Sequence, residues 1–343
     1  MTVRRVVPMV SVVLALVAGL PTAAAAQARV HELPLTPANV HWGYYDAAVP
    51  PVLTIRSGDR VRLEALVARG LDRLRLAGVP ESSFTAGERS VEAGVTERGP
   101  GAHPLTGPIH VEGAEPGDVL EIRILEVEPL TGWGVSGFLP GGGTLPDDFP
   151  YAALRRFELD TAAGVALMEG VATIPLRPFF GSFGVAPPVL RGRVSSRPPD
   201  YFGGNLDNRD LVAGTTLFLP VHVDGALLSI GDGHAAQGDG EVSGTAIETS
   251  MRGMVEVRLR KGVSLSWPRA ETPTHWISMA FHPDLDEAAR LATRAMVDYL
   301  VSEHGMDPAD AYILCSVALD LRITQLVDGN KGVHGALARN LLN

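Results

Sequence analysis

Ser57-Gly58-Asp59-Arg60-Val61-Arg62-Leu63-Glu64 and, further along, Pro116-Gly117-Asp118-Val119-Leu120-Glu121-Ile122-Arg123 follow one plan. Each begins with a Gly-Asp turn and continues with residues that alternate between apolar and charged. Val61 and Leu63 share one face, and Arg60, Arg62 and Glu64 share the other. Leu120, Ile122 and Ile124 oppose Glu121 and Arg123 in the same way. A third stretch, residues 254–260, repeats the pattern with Val255, Val257 and Leu259 directed inward. Period-two alternation marks strands with one buried and one wet face. With 38 Gly and 26 Pro supplying turns between short segments, the pattern favours antiparallel sheets over a helical bundle.

Working outward, the chain of 343 residues is 45% hydrophobic and 20% charged, ordinary values for a protein with a full core. The net charge of -10, without a basic cluster, argues against a nucleic-acid partner. Residues 1–28 read as a signal peptide. Arg4 and Arg5 supply the positive end, residues 6–20 are apolar, and Ala26-Gln27-Ala28 is a small-residue cleavage signal. The expectation is export to a periplasmic or extracellular location after cleavage near Ala28, with no membrane association afterwards. Cys315, the one cysteine, lies in the apolar run Tyr312-Ile313-Leu314-Cys315-Ser316-Val317. It can form no intrachain disulfide and reads as a small core residue.

The middle of the chain is punctuated rather than periodic. Residues 132–150, with Gly141-Gly142-Gly143 and Pro146-Asp147-Asp148, and residues 175–199, with six prolines, read as loops. Phe179, Phe180 and Phe183 are expected to be buried there. Helix comes late. Leu285, Ala288, Ala292, Ala295, Met296, Tyr299 and Leu300 recur at helical spacing, Asp284 and Glu287 suit its start, and Gly305 suits its end. Asp307-Pro308 reads as the start of a second helix, handing over to a strand near residues 321–327. The fold class is therefore mainly β (α+β): an antiparallel β-sandwich or barrel body with a smaller C-terminal α/β layer. Residues 29–200 form a mainly β N-terminal region. Residues 201–343 form a C-terminal region with the polar loop described next and the late helices.

That loop is Gly231-Asp232-Gly233-His234-Ala235-Ala236-Gln237-Gly238-Asp239-Gly240-Glu241, with Glu248 shortly after. The apolar residues 221–230 before it read as a strand, so the polar side chains are expected just beyond a strand end, where chemistry is often placed. A chain reversal needs one or two such residues, not five of ligand type. The spacing is not that of an EF-hand. Carboxylates beside an imidazole suit a divalent metal or acid–base work.

Further segments carry polar groups among glycines or aromatics: His41-Trp42-Gly43; Leu105-Thr106-Gly107-Pro108 with Val111-Glu112-Gly113-Ala114-Glu115-Pro116-Gly117-Asp118; Gly203-Gly204-Asn205-Leu206-Asp207; and Asp320-Leu321-Arg322-Ile323, with the apolar Leu219-Pro220-Val221 between the last two. Together with residues 225–241, and in this order, they resemble the acetamidase/formamidase family. The resemblance implies hydrolysis of a short carboxamide to carboxylate and ammonia. It also implies a mostly β fold with a smaller α/β part, a metal at the site, and homo-oligomers.

The residue chemistry is compatible. Amide hydrolysis needs a nucleophile, stabilisation of the oxyanion and a proton for the leaving amine. No Gly-x-Ser-x-Gly elbow is present, and Cys315 reads as buried. Water activated by a divalent metal, zinc by preference and calcium as the alternative, is then the natural nucleophile. His234 and Asp207 are the first ligand choices, with His41 third. Asp232 and Asp239 are candidates for ligand or orienting roles, and Glu241 and Glu248 for the base. Gln237 and Asn205 are candidates to face the oxyanion or the substrate amide, and Trp42 to line the substrate. Asp207 and His234 are expected to meet because residues 211–230 can form a hairpin turning at Val223-Asp224-Gly225. Two other readings stand beside this one: a secreted β-sandwich binding module with structural calcium, and a hydrolase of the same fold acting on another amide or an ester.

Overall fold

The computed structural model describes residues 1–3 and 28–342. The signal-peptide reading falls mainly on residues 4–27 and lies outside the described residues. The three alternating stretches become adjacent strands of one sheet: Arg60–Ala65, Met251–Arg260 and Val119–Pro129. Val61 stands beside Val255, Val255 beside Ile124, and Val257 beside Ile122. The apolar faces thus coincide across three strands, which fixes the register because a one-residue slip would turn every one of them to solvent. A bulge at Met254/Val255 interrupts the pairing with Val119–Pro129. Glu121, expected on the wet face, is buried there beneath Arg123 and Arg260, which pair with it.

The sheet has nine strands. Their order is Val30–Leu33, Arg60–Ala65, Met251–Arg260, Val119–Pro129, Thr216–Pro220, Arg269–Glu271, His275–His282, Lys331–Ala338 and Leu319–Gln325. Its first pair is parallel and the rest are antiparallel. A second sheet runs Gly203–Asn205, Phe179–Gly184, Leu228–His234, Pro104–Val111 and Val40–Trp42, with Leu53–Ile55 parallel to Pro104–Val111. The two sheets face one another across a common core. Leu63, Ile122, Val255 and Leu217 come from one, and Leu105, Phe180, Phe183 and Ile230 from the other. Each such side chain removed from water contributes about 1.5–3 kcal/mol before ordering entropy is subtracted. Both sheets take strands from residues 29–200 and from residues 201–343. The fold is mainly β, as the alternation indicates.

The helices Leu285–His304 and Pro308–Ala318 cover the outer face of the nine-stranded sheet. Ala288 and Ala292 pack with Ala280 and Val333, while Met296 and Cys315 pack with Trp276 and Leu337. Asp284 accepts from the Glu287 amide, Gly305 is left-handed at φ 63, and Asp307 caps a helix that begins with Pro308. Glu287 reaches Arg290 rather than closing a capping box.

Three readings are corrected. Helix is not confined to the end of the chain: Ala86–Gly94 is a helix with a complete capping box between Thr85 and Glu88, a Thr-x-x-Glu signal that was present in the sequence. The expected loops contain strands, Trp133–Phe138 in a four-stranded sheet and Phe179–Gly184 as an inner strand of the second large sheet. Proline and glycine mark the borders of these segments, while burial of Phe179, Phe180 and Phe183 decides their interior. Residues 211–230 do not form a hairpin either. Thr216–Pro220 lies in one sheet and Leu228–His234 in the other, so the turn between them crosses the sandwich.

Candidate active site

The strand Leu228–His234 runs further than the apolar stretch, through the first glycines of the polar segment. Asp232 and His234, two residues apart, therefore project from one face of a strand rather than from a loop. Asp232 is left-handed at φ 61, a costly conformation for a residue with a Cβ and one that is concentrated at functional sites. Phe179–Gly184 pairs alongside, with Phe180 opposite Gly233 and Ser182 opposite Gly231. Between them sits Gly181. A Cβ there would fall 2.5 Å from Asp207 Oδ1, 2.6 Å from Asp232 Oδ2 and 2.8 Å from His234 Cε1. Only glycine leaves this space.

Asp207 arrives by the next strand in the sheet. Gly203–Asn205 pairs with Phe179–Gly184, and the Asp207 amide donates to the Gly181 carbonyl at 3.1 Å. The expectation that Asp207 and His234 meet is therefore fulfilled by a different route, through a shared neighbouring strand. Glu248 is carried in by a bridge to His234 and by its amide bond to Val135. Glu241 turns inward at φ 43. Asp328 joins from the turn between the last two strands.

His234 Nε2 lies 3.3 Å from Asp232 Oδ1 and 3.4 Å from Glu248 Oε2, and its Nδ1 lies 3.8 Å from Asp207 Oδ1. His103 Nε2 stands 3.8 Å from Asp232 Oδ2. Three sets have potential ligand atoms within 4.8 Å of one another: Asp207–Asp232–His234, His234–Glu241–Glu248 and Asp207–Glu241–Asp328. All are buried. Asn205 Nδ2 donates to Asp207 Oδ2 at 2.5 Å, Ser182 holds Asn205, and Gln237 Nε2 donates to the Asp207 carbonyl at 2.8 Å. Phe179 meets the His234 ring edge-on.

The electrostatics are unusual. Burial, then the charge of Glu241, pushes Asp207 well above the carboxylate range. Burial, then Asp328, does the same to Glu241. Burial favours neutral His234, but Asp232 and Glu248 outweigh it and raise the imidazole well above its ordinary value. Asp232 is opposed by burial as well, yet His234 and His103 hold it below the usual range. Asp207 Oδ1, both Asp232 oxygens, both His234 nitrogens, Glu248 Oε2 and Asp328 Oδ2 are buried without a hydrogen-bond partner. Such groups cost several kcal/mol each unless paired. Carboxylate oxygens with imidazole nitrogen, aimed at a common space, are a donor set that fits a divalent cation.

The pocket above the cluster is small, about 30 Å³, and is lined on its outer side by Ala68, Arg69, Arg73, Ala102, Arg197 and Thr245. His103, Asp328 and these arginines were not singled out from the sequence. Asp328-Gly329 looks like any turn there, and the arginines stand in unremarkable surroundings. Other residues singled out lie elsewhere. His41 is outside the cluster: its Nε2 is engaged by Ser229 Oγ at 2.9 Å, and burial lowers its pKa to about 4. Asp239 is half-exposed and bound by Arg322, so it faces a guanidinium rather than the pocket. Trp42 is buried beneath Arg98 and does not line the pocket.

Comparison with known proteins places this arrangement. The model of the Acetamidase/Formamidase family matches residues 95–197 and 190–336. A formamidase of Methylophilus methylotrophus is 27% identical over 305 residues, 71% of this chain and 72% of that protein. An acetamidase of Mycolicibacterium smegmatis is 31% identical over 201 residues, 41% of this chain and 49% of that protein. The chain spans about half the length of two of the curated relatives it matches. The crystal structure of an acetamidase from Yersinia enterocolitica superposes with a TM-score of 0.79 at 30% identity, over 94% of this chain and 96% of that one.

Proposed function

The chain belongs to the acetamidase/formamidase family, and from that premise we propose that it hydrolyses a short carboxamide, of the formamide or acetamide type, to carboxylate and ammonia. The observation that carries the reading is the set of buried, unpartnered donor atoms around His234. Asp207, Asp232 and His234 would hold a divalent ion, zinc by preference, and His41 is no longer among the candidates. When bound, the ion supplies water activation and polarisation of the carbonyl. Asn205 fixes the Asp207 carboxylate, so that Oδ1 is the oxygen left free. Glu241, whose carboxyl is pushed well above its ordinary range by burial and then by Asp328, is suited to deliver a proton to the departing amine. Glu248 Oε2, with no hydrogen-bond partner, is the complementary acceptor. Arg69, Arg73 and Arg197 at the mouth suit the oxygen that gains negative charge.

Metal content and ammonia release from formamide and acetamide, measured on wild type, His234→Ala and Asp207→Ala with folding checked by circular dichroism, test the reading. Both substitutions should remove metal and activity. Full metal with near-normal ammonia release in both variants would sink it, and calcium with no turnover of any amide would favour a binding module. Export and self-association are part of the same proposal. Amino-terminal sequencing of secreted material should find a start near Arg29.

A further inference from the structure

The nine-stranded sheet ends in an open edge, Leu319–Gln325, preceded by the helix Pro308–Ala318. Open edges are ordinarily blunted by lysine, proline or a covering segment, because their free N–H and C=O groups recruit other strands. Here, among the described residues, only the far end is covered. The Gly240 amide donates to the Thr324 carbonyl at 3.0 Å, and the Leu326 amide donates to the Gly240 carbonyl at 3.1 Å. A bulge follows Ile323. Among the described residues none covers 319–323, and Leu321 and Ile323 are exposed. The helix beside them buries Ala311 and Cys315 but exposes Tyr312, Ile313 and Val317, with no charge from Tyr312 to Val317. Tyr312 and Leu321 line the same groove, which has a volume of about 730 Å³.

We infer that this edge pairs with the same edge of a second copy of the chain, antiparallel about a twofold axis at Leu321. The sequence is self-complementary in that register and in no neighbouring one. Centring on Leu321 sets Leu319 against Ile323 and Asp320 against Arg322, each twice. Centring on Asp320 sets aspartate against aspartate, and centring on Arg322 sets arginine against arginine, both destabilising across a strand pair. Asp320 is exposed and has no ion-pair partner among the described residues; the second copy's Arg322, already held by its own Asp210 and Asp239, would stand opposite it as a third charge partner rather than as a free one. Leu321 meets its own counterpart, and the exposed helix residues of the two copies come together over the joined sheet. An isologous interface of this kind closes on itself as a dimer and does not propagate. The inference rests on the self-association reading and names its surface. It does not depend on the amidase reading, since none of these residues lines the acidic pocket.

The test uses Leu321→Cys in the Cys315→Ser background, with Thr161→Cys as the exposed control. Residues directly opposite in an antiparallel pair have Cα atoms about 5.5 Å apart or closer, within disulfide reach. Mild oxidation should convert Leu321→Cys, and not Thr161→Cys, to a covalent dimer. In light scattering, Asp320→Arg should raise the dimer dissociation constant at least about tenfold, since it sets like charges opposite one another. Larger assemblies that still cross-link at Leu321 support the edge pairing as one of their contacts. A dimer that does not cross-link overturns the proposed surface while leaving self-association standing. A monomer at all concentrations, or capture of a different protein at this edge with no self-pairing, overturns both.

Discussion

Gly181 is where a single missing methyl group has the largest consequence. Its absent side chain is the space into which Asp207, Asp232 and His234 project. Gly181→Ala should fold, because overpacking of this kind costs about 1–3 kcal/mol. The new Cβ would nevertheless stand within 2.8 Å of all three groups. The variant should lose bound metal, and ammonia release should fall by about 10² or more, an effect expected when catalytic geometry shifts by an ångström. Normal metal content with normal turnover would show that the three groups do not share an ion. Glu241→Gln separates two roles at the same scale. The amide keeps the size of the carboxyl and leaves Asp207, Asp232 and His234 in place, so metal should stay while turnover falls by about 10², the usual contribution of one proton donor. Metal content and rate measured on the same preparation decide it.

Elements were legible in the sequence where one physical signal dominated. Val61, Ile122 and Val255 announced their strands because one face of each is wet, and the helix after Asp284 declared both its spacing and its ends. Phe179–Gly184 was not legible, since a strand buried on both faces has no alternation to read and its glycines resemble loop residues. The same difficulty hid the extension of Leu228–His234 through Gly231 and Gly233. Asp207 and His234 could be named from residue type, but their meeting depends on a strand order that local pattern does not encode. Ala86–Gly94 was a signal overlooked rather than absent. The Thr85 hydroxyl accepts from the Glu88 amide at 3.2 Å, and the Glu88 carboxylate accepts from the Thr85 amide at 2.7 Å. Thr85→Ala should therefore cost about 1 kcal/mol of stability, measured by urea denaturation, without altering the ammonia-release rate. An unchanged midpoint would mean that the packing of Val91 and Phe84 in the adjoining cluster, rather than the cap, holds the helix.

At the scale of the whole molecule, distant segments are tied at Asp210. Its carboxylate accepts from Arg177, which precedes the inner strand Phe179–Gly184, at 2.5 Å and from Arg322, on the edge strand of the other sheet, at 2.9 Å. His334 Nε2 lies 3.6 Å away. Arg322 also holds Asp239, two residues from Glu241, so this ion-pair network braces the loop that leads into the pocket. Burial alone would raise the Asp210 carboxyl, but His334, Arg322 and Arg177 outweigh it and hold the group well below the usual aspartate range. A carboxyl whose folded pKa is depressed binds its proton more readily in the unfolded chain, so its stabilisation is complete above the unfolded value of about 3.9 and is lost as pH falls through the folded value. Asp210→Asn keeps the shape and removes the charge. It should cost about 1.5–3 kcal/mol at neutral pH, the range for hydrogen bonds to charged groups. The gap between the wild-type and variant melting temperatures should narrow as pH falls below about pH 4. A gap that is the same at pH 3 and pH 7 would show that Asp210 stabilises by shape and neutral hydrogen bonding. A gap that widens on acidification would reverse the assignment of its charge.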